Sequence, residues 1–170
     1  MSYRLEWIFQ YRVLLSKATE LHIALTPAEH SRLERLRAQL PSDVPELDSH
    51  ADSHLPEPLR AEYIQAGRFH AGRVCNASGG GMAVLTAEPP DGGQHIQLHV
   101  WDPSHSVEYI FPVRVVGRIS SEATGMRVVF EGLPAQRLVM TPALGSHAAA
   151  HHLDTRPTRH GGKMGPPSQR

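Results

Sequence analysis

Cysteine is almost absent from this chain of 170 residues, in which Cys75 is the only one. A single cysteine excludes an intramolecular disulfide framework and fits a reducing compartment. The sequence also lacks an apolar run of membrane-spanning length, and its first residues, MSYRLEWIFQYR, are too polar for a signal peptide. These features predict a cytoplasmic protein that does not insert into a membrane.

Net charge is absent as well, since 17 basic residues balance 17 acidic ones. The balance gives no overall attraction to a nucleic acid polymer, so none is predicted as a partner. The charges are nevertheless segregated along the chain. Residues 41–57 carry five acidic residues and no basic one, whereas residues 58–140 carry seven of each. Such blocks predict segments that are built differently.

Residues 3–25 have the period of an amphipathic helix. Their less polar side chains recur at spacings of three and four and form one stripe: Ile8, Tyr11, Leu15, Ala18, His22 and Leu25. No glycine or proline interrupts the segment, so one helix is predicted. An apolar stripe needs burial, either against the rest of the chain or against a second copy. The second alternative makes residues 3–25 a candidate surface for a homo-oligomer.

A second helix is predicted to begin after Thr26. Thr26 suits an N-cap, Pro27 suits the first helical position, and Glu29 completes a Thr-x-x-Glu capping box. Leucines at spacings of three and four give this helix an apolar edge, and Pro41 ends it. Residues 1–40 are therefore predicted to form a helical hairpin.

Two further segments are predicted to lack regular structure. Residues 41–57 are acidic, contain prolines and show no period, which is typical of a linker. Residues 141–170 hold little that could form a core and are predicted to be a disordered tail. The tail contains histidines, but nothing in it fixes a geometry for a metal ion.

Between these segments, residues 58–140 consist of short apolar runs separated by turn residues. The run QHIQLHVWD, for example, alternates apolar and polar side chains over residues 94–102. About six short strands at this spacing indicate an antiparallel sandwich or barrel, and a closed barrel removes most exposed edges. Pro112 lies within one of these runs and predicts an edge or a bulge there.

The stretch VCNASGGGMAV, residues 74–84, interrupts two strands with a serine and three consecutive glycines. It contains no Gly-Lys-Ser/Thr, so it is not a phosphate loop of the nucleotide-hydrolase type. No helix follows it, so the dinucleotide-binding fingerprint fails as well. What remains is the pattern Asn76-x-Ser78-x-x-Gly81 between two strands. The glycines fit either a sharp turn or a close approach of the backbone to a ligand.

This pattern resembles that of the PilZ domain, a bacterial family whose better-known members bind cyclic di-GMP. The family shows Asp/Asn-x-Ser-x-x-Gly between its second and third strands. The segments FPVRVVGRIS and GMRVVFEGLP look like its last two strands. The resemblance covers residues 58–134, about half of the chain, and implies a six-stranded antiparallel β-barrel.

The resemblance also implies a ligand site. Asn76 and Ser78 would offer polar groups to a base edge or a phosphate, and Gly79, Gly80 and Gly81 would let backbone N–H groups approach an anion. In the family, an Arg-x-x-x-Arg segment ahead of the first strand holds most of the phosphate and guanine contacts.

No arginine pair with that spacing occurs ahead of the first strand, because the segment there carries acids and histidines. Arg60 and Arg73 are the candidate replacements, together with the strand residues Arg114 and Arg118. Each of these also fits an ordinary solvated strand face. The departure puts cyclic di-GMP binding in doubt.

Other candidate sites carry less weight. His95 and His99 share one strand face and could hold a metal ion with His105 or His70, but histidines on a polar face are ordinary. Cys75 is predicted to be a buried, inert thiol. No Ser-His-Asp or paired-carboxylate arrangement is present, so no enzyme activity, cofactor or metal is predicted.

The sequence thus predicts a PilZ-like barrel with an N-terminal helical hairpin. Its predicted role is that of a non-catalytic signalling adaptor in bacterial motility or surface regulation, acting through protein–protein contacts with weak or absent cyclic di-GMP binding. One alternative is a true cyclic di-GMP receptor that uses Asn76, Ser78 and Gly81 with non-standard arginines. Another is an oligomeric structural protein in which the barrel is a scaffold.

Overall fold

The computed structural model describes residues 3–45, 54–120 and 124–139 of the chain. In these described residues, two helices precede seven strands: α1 (Tyr3–Thr19), α2 (Pro27–Gln39), β1 (His54–Gln65), β2 (Arg68–Ala77), β3 (Gly81–Leu85), β4 (His95–Asp102), β5 (Val107–Ser120), β6 (Thr124–Phe130) and β7 (Ala135–Leu138). Strand β1 begins at His54, within the stretch predicted as a linker. The predicted tail, residues 141–170, lies outside the described residues.

Six of the strands form a closed antiparallel barrel. Their order is β4-β1-β2-β3-β6-β5, and the pairing of β4 with β5 closes the circle. The short strand β7 pairs with the first residues of β5 at the outside of this barrel. The prediction of a mainly β protein, with a six-stranded antiparallel barrel and helices at its N-terminus, is confirmed.

Alternating burial shows how the sequence pattern produces the barrel core. In β4, Ile96, Leu98 and Val100 are buried while the residues between them are more exposed. Side chains on a strand point alternately to its two faces, so this pattern places one face of β4 inside the barrel. Strand β3 is almost wholly buried, which fits its position between β2 and β6.

Pro112 lies where β5 changes one of its neighbours. Residues 107–110 of β5 pair with β7, and residues 113–120 pair with β6 on the same side. The carbonyl oxygen of Pro112 accepts a hydrogen bond from the backbone N–H of Glu131 at 2.9 Å. Proline has no backbone N–H to donate, and Pro112 lies between the residues of β5 that pair with β7 and those that pair with β6. The proline therefore removes no ladder hydrogen bond, as its position in a long strand requires.

Helix α1 packs against the barrel. Its buried apolar side chains are Leu5, Ile8, Tyr11 and Leu14, and they belong to the same core cluster as the barrel interior. The ring of Phe9 lies 5.3 Å from that of Tyr109 in β5. The buried residues of this stripe are thus covered by the rest of the chain, and pairing of α1 with a second copy stays a prediction. None of the helices in the described residues has the length and apolarity that a membrane span requires.

The prediction that α1 continues to residue 25 was wrong. The helix ends at Thr19, and the backbone N–H groups of Glu20 and Leu21 both donate to the carbonyl oxygen of Ser16. His22 then takes a φ of 52°, a left-handed conformation that ends helices. The apolar period continued past the end of the helix because Leu25 packs against the core from the connection to α2.

The predicted capping box of α2 is confirmed. The backbone N–H of Glu29 donates to Thr26 Oγ1, and the backbone N–H of Thr26 donates to Glu29 Oε2 at 2.9 Å. Lys17 Nζ of α1 donates to Glu29 Oε1 at 2.7 Å, so this carboxylate also joins the two helices. These hydrogen bonds, first that of Lys17 and then that of Thr26, lower the pKa of Glu29 to about 2.

We expect an NMR titration of the Glu29 side chain to give a pKa of about 2, and we expect Lys17→Met to raise that pKa. Arg37→Met, which removes an exposed charge paired with Glu34, is the control and should leave the Glu29 midpoint unchanged. Because the pKa of Glu29 is lower in the folded protein, its carboxylate stabilises the fold fully above pH 4.5, and this stabilisation is lost as the pH falls toward about 2. A Glu29 midpoint that is unchanged in Lys17→Met would contradict the ion pair between Lys17 of α1 and Glu29 of α2.

Candidate functional site

The glycine-rich loop, residues 78–80, joins β2 to β3 and satisfies many of its own polar groups. The backbone N–H of Ser78 donates to the carbonyl oxygen of Gly81 at 3.0 Å. Ser78 Oγ accepts from the N–H groups of Gly80 at 3.1 Å and Gly81 at 3.2 Å. The serine hydroxyl thus occupies the position at which these two donors would meet an anion.

Residues 40–43, which follow α2, lie directly on this loop; we call them the strap. The N–H of Gly79 donates to the carbonyl oxygen of Pro41 at 2.8 Å. The hydroxyl of Ser78 donates to the carbonyl oxygen of Asp43 at 2.6 Å. The strap carbonyls therefore receive the outward-pointing donors of the loop, and Ser78 is only 1% exposed.

The contacts around the three glycines explain why side chains are absent there. A Cβ on Gly79 would lie 3.1 Å from Cε1 of Tyr11, and a Cβ on Gly80 would lie 2.1 Å from the carbonyl oxygen of Ser42. A Cβ on Gly81 would lie 2.0 Å from the carbonyl oxygen of Val128 in β6. Between the turn and the ligand loop that the sequence left open, these contacts favour a turn packed against its own chain.

The other predicted site residues divide into two places. Asn76 ends up close to the loop in β2 and is fully buried. Arg60 and Arg73 are direct cross-strand neighbours on the exposed side of β1 and β2. Arg60 pairs with Glu62 at 2.6 Å and lies over the ring of Trp101. Neither guanidinium forms a hydrogen bond or ion pair with the loop among the residues that the structure describes.

The strand arginines Arg114 and Arg118 also have partners of their own. Arg114 Nε lies 2.6 Å from an oxygen of Glu131, and Arg118 lies 2.6 Å from an oxygen of Asp91. Each pair is partly or largely exposed, so each fits a solvated strand face.

A buried arginine of α1 that was not among the predicted site residues is linked to the loop through Phe130. Arg12 donates to the carbonyl oxygen of Phe130 at 3.3 Å, and its guanidinium lies 5.6 Å from the centre of the Phe130 ring. The N–H of Phe130 in turn donates to the carbonyl oxygen of Gly80. Burial lowers the pKa of Arg12, while Glu20 acts in the opposite direction. The one sequence signal for this residue is its spacing of four from the buried Ile8.

The candidate histidines are distributed among different carboxylates. His95 lies 2.9 Å from an oxygen of Glu131, and His99 lies 2.7 Å from an oxygen of Glu108. His105 pairs with Asp102, and His70 pairs with Glu88. In residues 3–45, 54–120 and 124–139, no group of three ligating side chains is arranged to hold a metal ion.

Cys75 is half-buried in β2, and burial raises the pKa of its thiol. Its sulfur lies 3.5 Å from the carbonyl oxygen of Ala83 in the neighbouring strand. A raised pKa keeps the thiol protonated near neutral pH, which makes it a poor nucleophile. The geometry therefore fits the predicted inert side chain.

Comparison with known proteins agrees with the fold. The model of the PilZ domain family matches residues 50–140, more than half of the chain. A search of curated proteins gave no match. The matched range contains all seven strands and the loop between β2 and β3 that carries Asn76, Ser78 and Gly81. The chain belongs to the PilZ domain family.

Proposed function

We propose that this PilZ protein is a non-catalytic signalling adaptor that acts through protein contacts, with weak or absent binding of cyclic di-GMP. The observation that carries the proposal is the seating of the strap on the glycine-rich loop. A role in bacterial motility or surface regulation follows from the family resemblance alone. The weak or absent binding of cyclic di-GMP is proposed for the state in which the strap lies on the loop.

The hydrogen bonds of the loop support weak ligand binding. A phosphate needs free donors, and the outward N–H of Gly79 and the hydroxyl of Ser78 already donate to the strap. The N–H groups of Gly80 and Gly81 donate to Ser78 Oγ. A dinucleotide would have to replace these contacts before it gained any of its own.

The charges near the loop support the same reading. Asp43 is exposed on the strap, so a negative side chain belongs to the segment that covers the loop. Arg60 and Arg73, the candidate replacements for the family's arginine pair, form no hydrogen bond or ion pair with the loop in the part of the chain that the structure describes. An anionic ligand would thus meet an acidic segment and no cationic clamp, which disfavours both approach and binding.

Calorimetry with cyclic di-GMP and the full chain tests this proposal. We expect no heat of binding with the dinucleotide at micromolar concentrations. Micromolar binding that is lost in Ser78→Ala would contradict the proposal and establish the receptor alternative. Ser31→Ala, which changes an exposed serine of α2, is the matched control and should behave like the unchanged protein.

The protein-contact part has its own test. Affinity purification of the tagged full chain from its native cell should retain a partner in stoichiometric amount. Ser78→Ala should retain the same partner, because the adaptor role does not use the loop as a ligand site. Recovery of the chain alone, under crosslinking conditions, would contradict the adaptor role.

A further inference from the structure

The strap is exposed between two buried anchors, Leu40 at its start and Pro45 two residues beyond its end. Leu40, which caps α2, is 5% exposed, and Pro45 is also buried. Pro41, Ser42 and Asp43 between these ends are exposed. The strap is therefore a surface segment that bridges two anchors, and it contacts the loop mainly through its backbone.

The loop keeps its shape through contacts that do not involve the strap. Ser78 N–H donates to Gly81, and Phe130 N–H donates to the carbonyl oxygen of Gly80 at 3.1 Å. The pairing of β3 with β2 and β6 holds both ends of the loop. Movement of the strap would leave these interactions intact, so the loop can keep its shape without the strap.

What the strap covers is a set of donors. Its two carbonyl oxygens, from Pro41 and Asp43, receive the N–H of Gly79 and the hydroxyl of Ser78. Gly80 exposes its backbone to the strap, and only glycine fits at this position because a Cβ there would overlap the carbonyl oxygen of Ser42. When the strap is released, this surface presents two hydrogen-bond donors and a backbone without side chains at its glycines, which suits the oxygens of a phosphate.

We propose that the strap is an autoinhibitory plug, whose release from the loop exposes a site for a phosphate-bearing ligand. This inference rests on the proposed function, since it assigns the weak ligand binding of the intact protein to the strap. Release also removes the Asp43 side chain from the vicinity of the loop. The two states differ in the position of residues 40–43, and a ligand shifts them only by binding the open state better.

Two variants should open the strap from its anchors, Leu40→Ala and Pro45→Ala. Leu33→Ala is the matched control for the first of them, because Leu33 is an equally buried leucine of α2 that lies outside the strap. Amide hydrogen exchange read by NMR reports the opening. We expect the N–H of Gly79 to exchange about tenfold faster in the anchor variants than in Leu33→Ala. The N–H of Phe130 reports any difference in global stability among the three variants, against which the exchange of the Gly79 N–H is compared.

The unchanged protein provides a measurement that needs no substitution. If the strap opens locally, the N–H of Gly79 exchanges faster than that of Phe130, which opens only with the barrel. Equal exchange of the two amides in the unchanged protein would overturn the proposal. So would anchor variants that fold but leave the Gly79 amide as protected as it is in Leu33→Ala.

Ligand binding then separates this inference from the proposed function. Calorimetry uses cyclic di-GMP and, separately, inorganic phosphate as probes. We expect at least one probe to bind the anchor variants about tenfold more tightly than the unchanged protein. Binding of phosphate alone identifies a simple oxyanion site, and binding of the dinucleotide alone identifies a nucleotide site. Opened variants that bind neither probe overturn the plug but leave the adaptor role standing, whereas tight binding by the unchanged protein overturns the adaptor role.

Discussion

Gly81→Ala is expected to lower the free energy of unfolding by about 3 kcal/mol, one of the largest effects of any conservative substitution in this barrel. An alanine Cβ at this position would lie 2.0 Å from the carbonyl oxygen of Val128. The overlap is with backbone, so no rotamer change of a flexible side chain relieves it. Either β3 separates from β6 at this point or the loop shifts, and both lose ladder hydrogen bonds.

Gly92→Ala is the matched control, since a Cβ there meets nothing within 4 Å. Urea denaturation of the two variants should show a large loss for Gly81→Ala and a change within about 0.5 kcal/mol for Gly92→Ala. Similar stabilities of the two would show that β3 and β6 are not paired as Gly81 with Val129.

Much of the barrel could be predicted from the sequence because its signals are local. The alternation of Ile96, Leu98 and Val100 indicates one buried strand face, and turn residues mark the strand ends. The capping box at Thr26 and Glu29 is similarly local, and it is present in the structure. The loop motif indicated one family, and the model of that family matches residues 50–140.

The strap could not be predicted, and the reason is physical. Its contacts join Ser78 to Asp43, which are 35 residues apart, and they use carbonyl oxygens that every residue possesses. A segment that is acidic, contains prolines and shows no hydrophobic period, such as residues 41–57, is typical of a linker. The prediction of a linker does not say against which part of the protein its backbone lies. The three consecutive glycines are visible in the sequence, but the backbone that packs against them, and that leaves no room for a side chain, is not.

The end of α1 shows a different limit. The spacing from Ile8 to Leu25 is helical throughout, yet the helix ends at Thr19 and the chain turns at His22. Periodicity reports which side chains face the core and not which backbone connects them. Arg12 was overlooked for a related reason, since a cation beside apolar positions is usually placed at the surface.

Arg137→Met is expected to lower the free energy of unfolding by about 2 kcal/mol, although Arg137 is itself largely exposed. Its guanidinium donates to the carboxylate of Glu108, which is fully buried. The other oxygen of that carboxylate is 2.7 Å from His99 Nδ1. Without Arg137 the buried carboxylate keeps His99 as its one partner among the described residues, and a buried charge that lacks its cation is costly.

Arg118→Met is the matched control, because Arg118 also pairs with a carboxylate but both partners of that pair are exposed. Its loss should be below about 0.5 kcal/mol in urea denaturation. A third variant separates charge from packing: Glu108→Gln combined with Arg137→Met should recover part of the stability lost in Arg137→Met alone, because no charge is then left buried. If the double variant is less stable than Arg137→Met, the pair contributes through the packing of β7 on β5, and the buried charge of Glu108 is not what makes Arg137 necessary.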